Sequence, residues 1–423
     1  MKYKAINLKS GIKLVTITSL SSNAVTIAAF LKAGFRFDPV NKPGLAHFTE
    51  HMVFDGTKSF PNAREEAQAI EQYGGWHMAF TWIEHQKHTV HIPKPHFEIG
   101  IKILLETIYK PLIKDIEVSR EKGVVQEEIL KNLSDPSRAI WDYVWMPLFF
   151  QNTHVGRPYT GTIDDLQNIS RDDVRQFISD NYTADKIVIL VAGDLEHEQI
   201  VQAIEKESVS LDRLEKKRNI VKLLPKRATK VLVYEDQIYA QAAIFVGVET
   251  VPYISSVKPI FDIIREILGG YFGANLVQTL RNEGGLIYDW GCFEDNFTES
   301  GYIVFNVSTA PQNVEKVISI ILNEFDRLAK GKITEKEIER AKGHLIGSIY
   351  ANVEKGLDYI DWFGMQELMN PNNVLNIGDQ IKIYNKITKS DVKNICAQYL
   401  NKDKILIGVL GEANETSIKK LTG

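Results

Sequence analysis

The sequence predicts an α+β fold made of two similar halves, and three observations carry that expectation. The run Ile169 to Val174 recurs as Ile387 to Val392, and Asp185 to Gly193 recurs as Asp403 to Gly411. Both pairs keep one offset of 218 residues, which duplication explains better than two separate coincidences. Within each half, strand-like runs pass into helix-like runs and back to a strand, the pattern of an α+β layer domain. The seam falls near Asp212 to Arg218, a charged stretch ahead of the strand Lys230 to Tyr234. We therefore expect an N-terminal domain at 1–211, a charged linker at 212–228 and a homologous C-terminal domain at 229–423.

Each element has a local reason. The chain opens at Met1 to Asn7 on apolar-polar alternation, with no apolar signal core and no Arg/Ser-rich transit segment, so a cytoplasmic location is the expectation. Ala24 to Phe30 and Ala240 to Val246 read as strands that open the two halves. Pro43-Gly44-Leu45-Ala46 and Met52-Val53-Phe54 put apolar flanks around a polar centre, which predicts a buried helix between them. Ser119 to Leu130 reads as an amphipathic helix with Glu121, Val124, Val125 and Glu128 on one face and Glu127 turned toward solvent.

The polar centre is His47-Phe48-Thr49-Glu50-His51. On a helix the i, i+4 spacing stacks both imidazoles on one face, within reach of one ion. Glu50 flanks that face and can act as general base without being a ligand, the inverted zincin pattern H-x-x-E-H. Such a motif arises by chance in roughly one or two chains per hundred of this length. Burial changes the weighting, because polar groups on a buried helix need partners and a metal would supply one.

A catalytic zinc usually takes three protein ligands and a water. Glu128, in line with the apolar stripe of its helix, is the expected third ligand. Glu121, two turns earlier on that face, suits an acceptor that orients a ligating histidine.

The segments Gly44 to Thr57 and Glu121 to Glu128 together resemble the pitrilysin family of zinc peptidases, within it the short subunits related to the mitochondrial processing peptidase. The resemblance extends to Leu8 to Val15, to Gly156 to Thr162 and to Leu280 to Tyr288. It implies that each half is a mainly antiparallel sheet covered by helices. It places a third ligand about 76 or 77 positions after the second histidine, which spacing gives to Glu127 or Glu128, and the register within the motif favours Glu128. It also implies one Zn2+ per chain, peptide substrates, and contact of Arg281 and Tyr288 with the substrate backbone or the transition-state oxygen. Relatives of this length enclose substrate in a four-domain chamber of two chains. Since this chain carries both the metal motif and the Arg/Tyr pair, a homodimer is expected.

One segment departs from the family. Relatives carry Asn-Ala in the strand after a Gly-Gly turn, whereas here Met78 stands in place of the Asn and Ala79 keeps the alanine. That strand edge, with Ala79, is the expected site where an extended peptide adds by main-chain hydrogen bonds. His77, His85, His88 and His91 match no metal-site spacing, and we expect them at alternating polar positions on an exposed strand. The offset carries His47 onto Arg265, so the second half is expected to lack a metal site.

Composition narrows the function class. A net charge of −4 gives no reason for a nucleic-acid partner, and no run approaches the ~20 apolar residues that span a bilayer. Cys292 and Cys396 form no disulfide framework and read as buried thiols. The expected function is a zinc-dependent endopeptidase for extended or unfolded peptides, in which Glu50 takes a proton from the attacking water. The alternatives are a non-catalytic peptide-binding or assembly subunit, and a small-molecule hydrolase or lyase sharing H-x-x-E-H, which length and the second domain disfavour. The same ligands would accept cobalt or manganese.

Overall fold

A computed structural model describes residues 1–207, 223, 229–235 and 239–422. Its strands form two sheets. The first holds β1 (Lys2–Asn7), β2 (Lys13–Thr18), β3 (Ala24–Leu31), β4 (Trp76–Thr81), β5 (Gln86–Pro93) and β6 (Ile187–Ala192) in the order β1-β2-β6-β3-β5-β4. The second holds β7 (Val231–Tyr234), β8 (Ala242–Thr250), β9 (Trp290–Asn296), β10 (Gly301–Thr309) and β11 (Leu406–Leu410) in the order β7-β11-β8-β10-β9. The β2-β6-β3-β5-β4 arrangement thus recurs. Each sheet has one parallel pair, β2 with β6 and β7 with β11, and is otherwise antiparallel.

The repeated sequence has a physical meaning. Ser170 and Thr388 each cap a following helix, Arg171–Asn181 and Lys389–Tyr399, in a capping box with Asp173 and Asp391. These reciprocal bonds satisfy amides that the first turn leaves open. The strands that follow, β6 and β11, are buried along their whole length, as β-branched and leucine-rich runs in central strands should be.

Packing divides the chain differently from the duplication. One compact unit comprises residues 1–129, the chain from Pro158 through β6, and residues 352–374; the other comprises 130–157, β7 to Ala351, and the chain from Leu375 onward. In the first unit, the helix Gly356–Met369 lays Ile360, Phe363 and Leu368 on Val15, Ile17, Phe30 and Leu190 of the sheet. Gly364 permits this, since a Cβ there would stand 2.2 Å from the Phe30 ring. In the second unit, Trp145 packs on Phe245 and Tyr302, and a Cβ at Gly247 would meet the Trp145 ring at 2.7 Å. The expected charged linker, 212–228, lies outside the described residues except for Leu223, which is buried.

The first unit's other helices that matter here are α1 (Leu45–Met52), α2 (Ala63–Glu71), α3 (Phe97–Tyr109) and α4, which begins at Asp115 and runs to Ser134. No helix among the described residues is long and apolar enough to cross a membrane. Cys292 and Cys396 are free and buried, and burial raises both thiols well above their ordinary range.

Candidate metal centre

The helix α1 starts where the backbone permits no other residue than glycine. Gly44 has φ of +83°, and a Cβ on it would stand 2.2 Å from the Thr160 carbonyl oxygen. It has no side chain to cap the helix, and Asp38 does so from outside: its carboxylate accepts from the amides of Gly44 at 2.8 Å and Ala46 at 2.7 Å. Leu45, Ala46, Phe48 and Met52 are buried, so α1 is fixed by its apolar sides while one polar face stays open to α4.

On that face His47 Nε2 lies 3.5 Å and His51 Nε2 3.4 Å from the same oxygen, Glu128 Oε2. Among the described residues this trio is the one group of three potential ligands that converges, all three atoms lying within 4.8 Å of one another. Two atoms each about 2.0–2.1 Å from one ion at tetrahedral angles stand about 3.4 Å apart. The two separations from Glu128 Oε2 match, and two imidazole nitrogens with one carboxylate oxygen are a donor set suited to zinc. Glu121 Oε2 lies 3.4 Å from the other nitrogen of His51, Nδ1.

Charge is shared unevenly within the trio. Burial, with His51 beside it, holds His47 down at about 4. Burial also opposes a charge on His51, but Glu121 and Glu128 outweigh it and hold His51 up at about 9. Glu128 is kept near 2 against its burial by His51, His47 and the Tyr159 hydroxyl. In the metal-free protein, His51 is therefore the cation between two carboxylates, the place a metal ion would take over on its release of a proton.

Glu50 stands beside the trio without joining it. Burial raises its carboxyl above the usual range, opposed by a hydrogen bond from Thr81, whose Oγ1 donates to Glu50 Oε2 at 2.5 Å. Thr81 in turn accepts from Gln86 Nε2 at 3.2 Å; Gln86 also donates to the Ala46 carbonyl at 2.7 Å and accepts from the Tyr182 hydroxyl at 2.6 Å. Thr81 ends β4 and Gln86 begins β5, so the hairpin brings this chain of bonds to α1. Sequence reasoning gave no role to Thr81, Gln86, Tyr182 or Tyr159, although Tyr159 lies in the Gly156 to Thr162 segment that carries part of the resemblance.

Several expectations meet the structure differently. Glu127 is exposed as expected, but Val124, expected on the buried face of α4, is 47% exposed. The buried stripe runs through Val118, Val125 and Ile129, with Glu121 and Glu128 partly buried beside it. His77 of β4, His88 and His91 of β5 and His85 of the turn between them are not on an exposed strand. His85 and His88 are buried, and His77 bonds Glu66 through Nδ1 at 3.0 Å while Phe54 packs on its ring. Burial holds His77 and His88 down at about 3 and His85 at about 4. Alternation reveals which residues share a face; here helices cover the face on which His77 and His88 lie. His91, partly buried, stacks on Trp76 and lies 2.9 Å from Thr26 Oγ1.

Among the described residues β4 pairs only with β5, leaving its other edge as the sheet margin. Ala79 lies on it opposite His88, and Met78 is 56% exposed. In the second unit Arg281 donates to the Tyr288 carbonyl at 2.6 Å, and its guanidinium sits over the rings of Tyr288, Trp290 and Phe272 at 5.0, 5.2 and 5.7 Å. Tyr288 is exposed. Arg265, the counterpart of His47, pairs with Glu266 at 2.7 Å, and no ligand group converges there among the described residues.

Comparison with known proteins agrees with this architecture. Residues 13–163 match the family model described as Insulinase (Peptidase family M16), and residues 168–345 match the one described as Peptidase M16 inactive domain. The uncharacterized zinc protease YmxG of Bacillus subtilis is 25% identical over 416 residues, covering 98% of this chain and 100% of that protein. An uncharacterized zinc protease of Mycobacterium leprae is 27% identical over 401 residues, covering 93% and 88%. Among solved structures, a protease from Helicobacter pylori superposes with a TM-score of 0.88 at 19% identity, covering 97% of this chain and 99% of that one.

Proposed function

Because the chain belongs to peptidase family M16, we propose that it is a zinc-dependent endopeptidase that hydrolyses extended or unfolded peptides. The observation that carries this reading is the convergence of His47, His51 and Glu128 on one point, with Glu50 beside it and outside the ligand set. Zinc held by the three would polarise the scissile carbonyl and make a water acidic at neutral pH. Glu50 takes the proton from the attacking water and passes it to the leaving amine. Thr81 donates to Glu50 Oε2, which leaves Oε1 open to accept the water's proton. The margin of β4 at Ala79 receives the peptide as an added strand, with Met78 altering the side-chain contacts there. Arg281 and Tyr288 hold the substrate and the developing negative charge, and the working form is a homodimer with one zinc per chain.

Digestion of a mixed peptide library, with and without a chelator, tests the proposal. Cleavage should stop on chelation and return with zinc. Glu50→Gln should keep its zinc and lose roughly 10²–10⁴-fold in rate. A wild-type protein that binds zinc and cleaves nothing would be a peptide-binding or assembly subunit, and the proposal would be wrong.

A further inference from the structure

Glu128 uses its two oxygens differently. Oε2 faces the Nε2 atoms of both His47 and His51, while Oε1 accepts a hydrogen bond from the Tyr159 hydroxyl at 2.8 Å. The Tyr159 ring also stands edge-on to the His47 imidazole, with centroids 4.9 Å apart. One side chain thus touches two of the three candidate ligands, and it comes from a segment distant in sequence from both.

The backbone makes this contact definite. Tyr159 sits in a turn closed by the Gly161 amide donating to the Pro158 carbonyl at 2.9 Å. Gly161 has φ of +68°, and a Cβ on it would lie 2.6 Å from the Pro43 carbonyl oxygen. The next residue of the same turn, Thr160, presses its carbonyl against Gly44, where a Cβ would approach to 2.2 Å. Two left-handed glycines therefore dock the turn on the residues that start α1. Downstream, Thr162 caps the helix Ile163–Gln167 in a capping box, which holds the other end of the loop. Tyr159 is carried on a support anchored at both sides.

We propose that Tyr159 is a positioning residue for the metal centre: it holds Glu128 as a ligand through Oε2 alone and keeps His47 turned toward the same point. This rests on the reading of the trio as a zinc site. A carboxylate left free could rotate about its terminal torsion and present either oxygen, or both, to an ion. The hydroxyl of Tyr159 removes that freedom, so the ligand oxygen is in place before the ion arrives. Outer partners of this kind typically change metal affinity by about 10–100-fold when removed. A bare packing role would predict that the ring matters and the hydroxyl does not.

Tyr159→Phe separates the two, since it keeps the ring against His47 and deletes only the donor. Zinc affinity of the full chain is measured by competition with a chromophoric chelator, and melting temperature is measured on the metal-free proteins. We expect Tyr159→Phe to bind zinc about 10–100-fold more weakly while its metal-free form still melts as a folded protein. Wild-type affinity in Tyr159→Phe overturns the proposal while leaving the zinc site standing. Tyr159→Leu, which removes ring and hydroxyl together, completes the test: if it weakens zinc binding and Tyr159→Phe does not, the ring acts by packing and the proposal is overturned. A wild-type protein that binds no zinc removes the site itself, and the positioning role with it.

Discussion

Thr81→Val tests whether the general base is aimed by a chain of hydrogen bonds. The Ala46 carbonyl can only accept, so the amide nitrogen of Gln86 must face it, and the Gln86 oxygen is left to the Tyr182 hydroxyl. The same nitrogen donates to Thr81 Oγ1 at 3.2 Å. Thr81 then has its own proton to give, and it gives it to Glu50 Oε2 at 2.5 Å. Valine keeps the shape of threonine and cannot donate. It leaves Glu50 free to turn and one Gln86 N–H without its acceptor. Hydrogen bonds to charged groups contribute about 1.5–3 kcal/mol, and each 1.4 kcal/mol is tenfold in rate. We therefore expect kcat on a quenched-fluorescence peptide to fall by about 10–150-fold with KM little changed, zinc content intact, and Thr81→Ser close to wild type. Wild-type kcat in a zinc-loaded Thr81→Val protein would refute the aiming role, and loss of zinc instead would mean that Thr81 acts on the trio.

Glu128→Gln should bind zinc more weakly than wild type while Glu127→Gln, on the exposed side of α4, should not; metal content of the purified variants decides, and the reverse result shifts the ligand by one residue. His88→Phe should raise the melting temperature, because His88 is fully buried with neither ring nitrogen bonded among the described residues, and such groups cost about 1–3 kcal/mol. Its pKa of about 3 also means that the unfolded chain gains a proton that the folded one refuses as pH falls below 6.5, so wild type should lose up to about 5 kcal/mol more than His88→Phe on acidification toward pH 3. Denaturant titrations at several pH values would show this, and parallel pH profiles for the two proteins would refute it. For the proposed homodimer, Glu50→Gln and Arg281→Ala chains, each inactive by itself, should recover about a quarter of wild-type activity after verified exchange; a mixture that stays inactive rules out sharing of sites between chains.

The parts of the site that were legible in the sequence are those written in helix periodicity. His47 and His51 are one turn apart on α1, and Glu121 and Glu128 are two turns apart on α4, so spacing alone assigns their faces. The capping boxes at Ser170 and Thr388 and the strands after them were legible for the same reason: their chemistry is local. Tyr159, Thr81 and Gln86 were not, because each reaches the site through tertiary docking, a turn pressed on Gly44 in one case and the β4–β5 hairpin in the others. The exchange of residues 352–374 into the first unit was equally hidden. An apolar face on Gly356–Met369 states that something must cover it and carries no information on which sheet does so.

The second half shows what the duplicated framework does without ligands. The offset that carries His47 to Arg265 also carries Phe48 to Glu266, which is buried. A buried carboxylate without partners would be costly. Glu266 has two: Arg265 at 2.7 Å and His344 Nδ1 at 2.6 Å, the latter from the helix Glu335–Asn352. In the first half two imidazoles and a carboxylate converge, and in the metal-free protein His51 carries the positive charge that a bound ion would take over. In the second, a carboxylate lies between basic side chains and the protein supplies that charge itself. The two halves thus fill the same region of the same framework with different groups, and among the described residues only the first brings together three side chains that could ligate an ion. Chelation should accordingly weaken the first unit's α1–α4 contact and leave the Glu266 cluster unchanged.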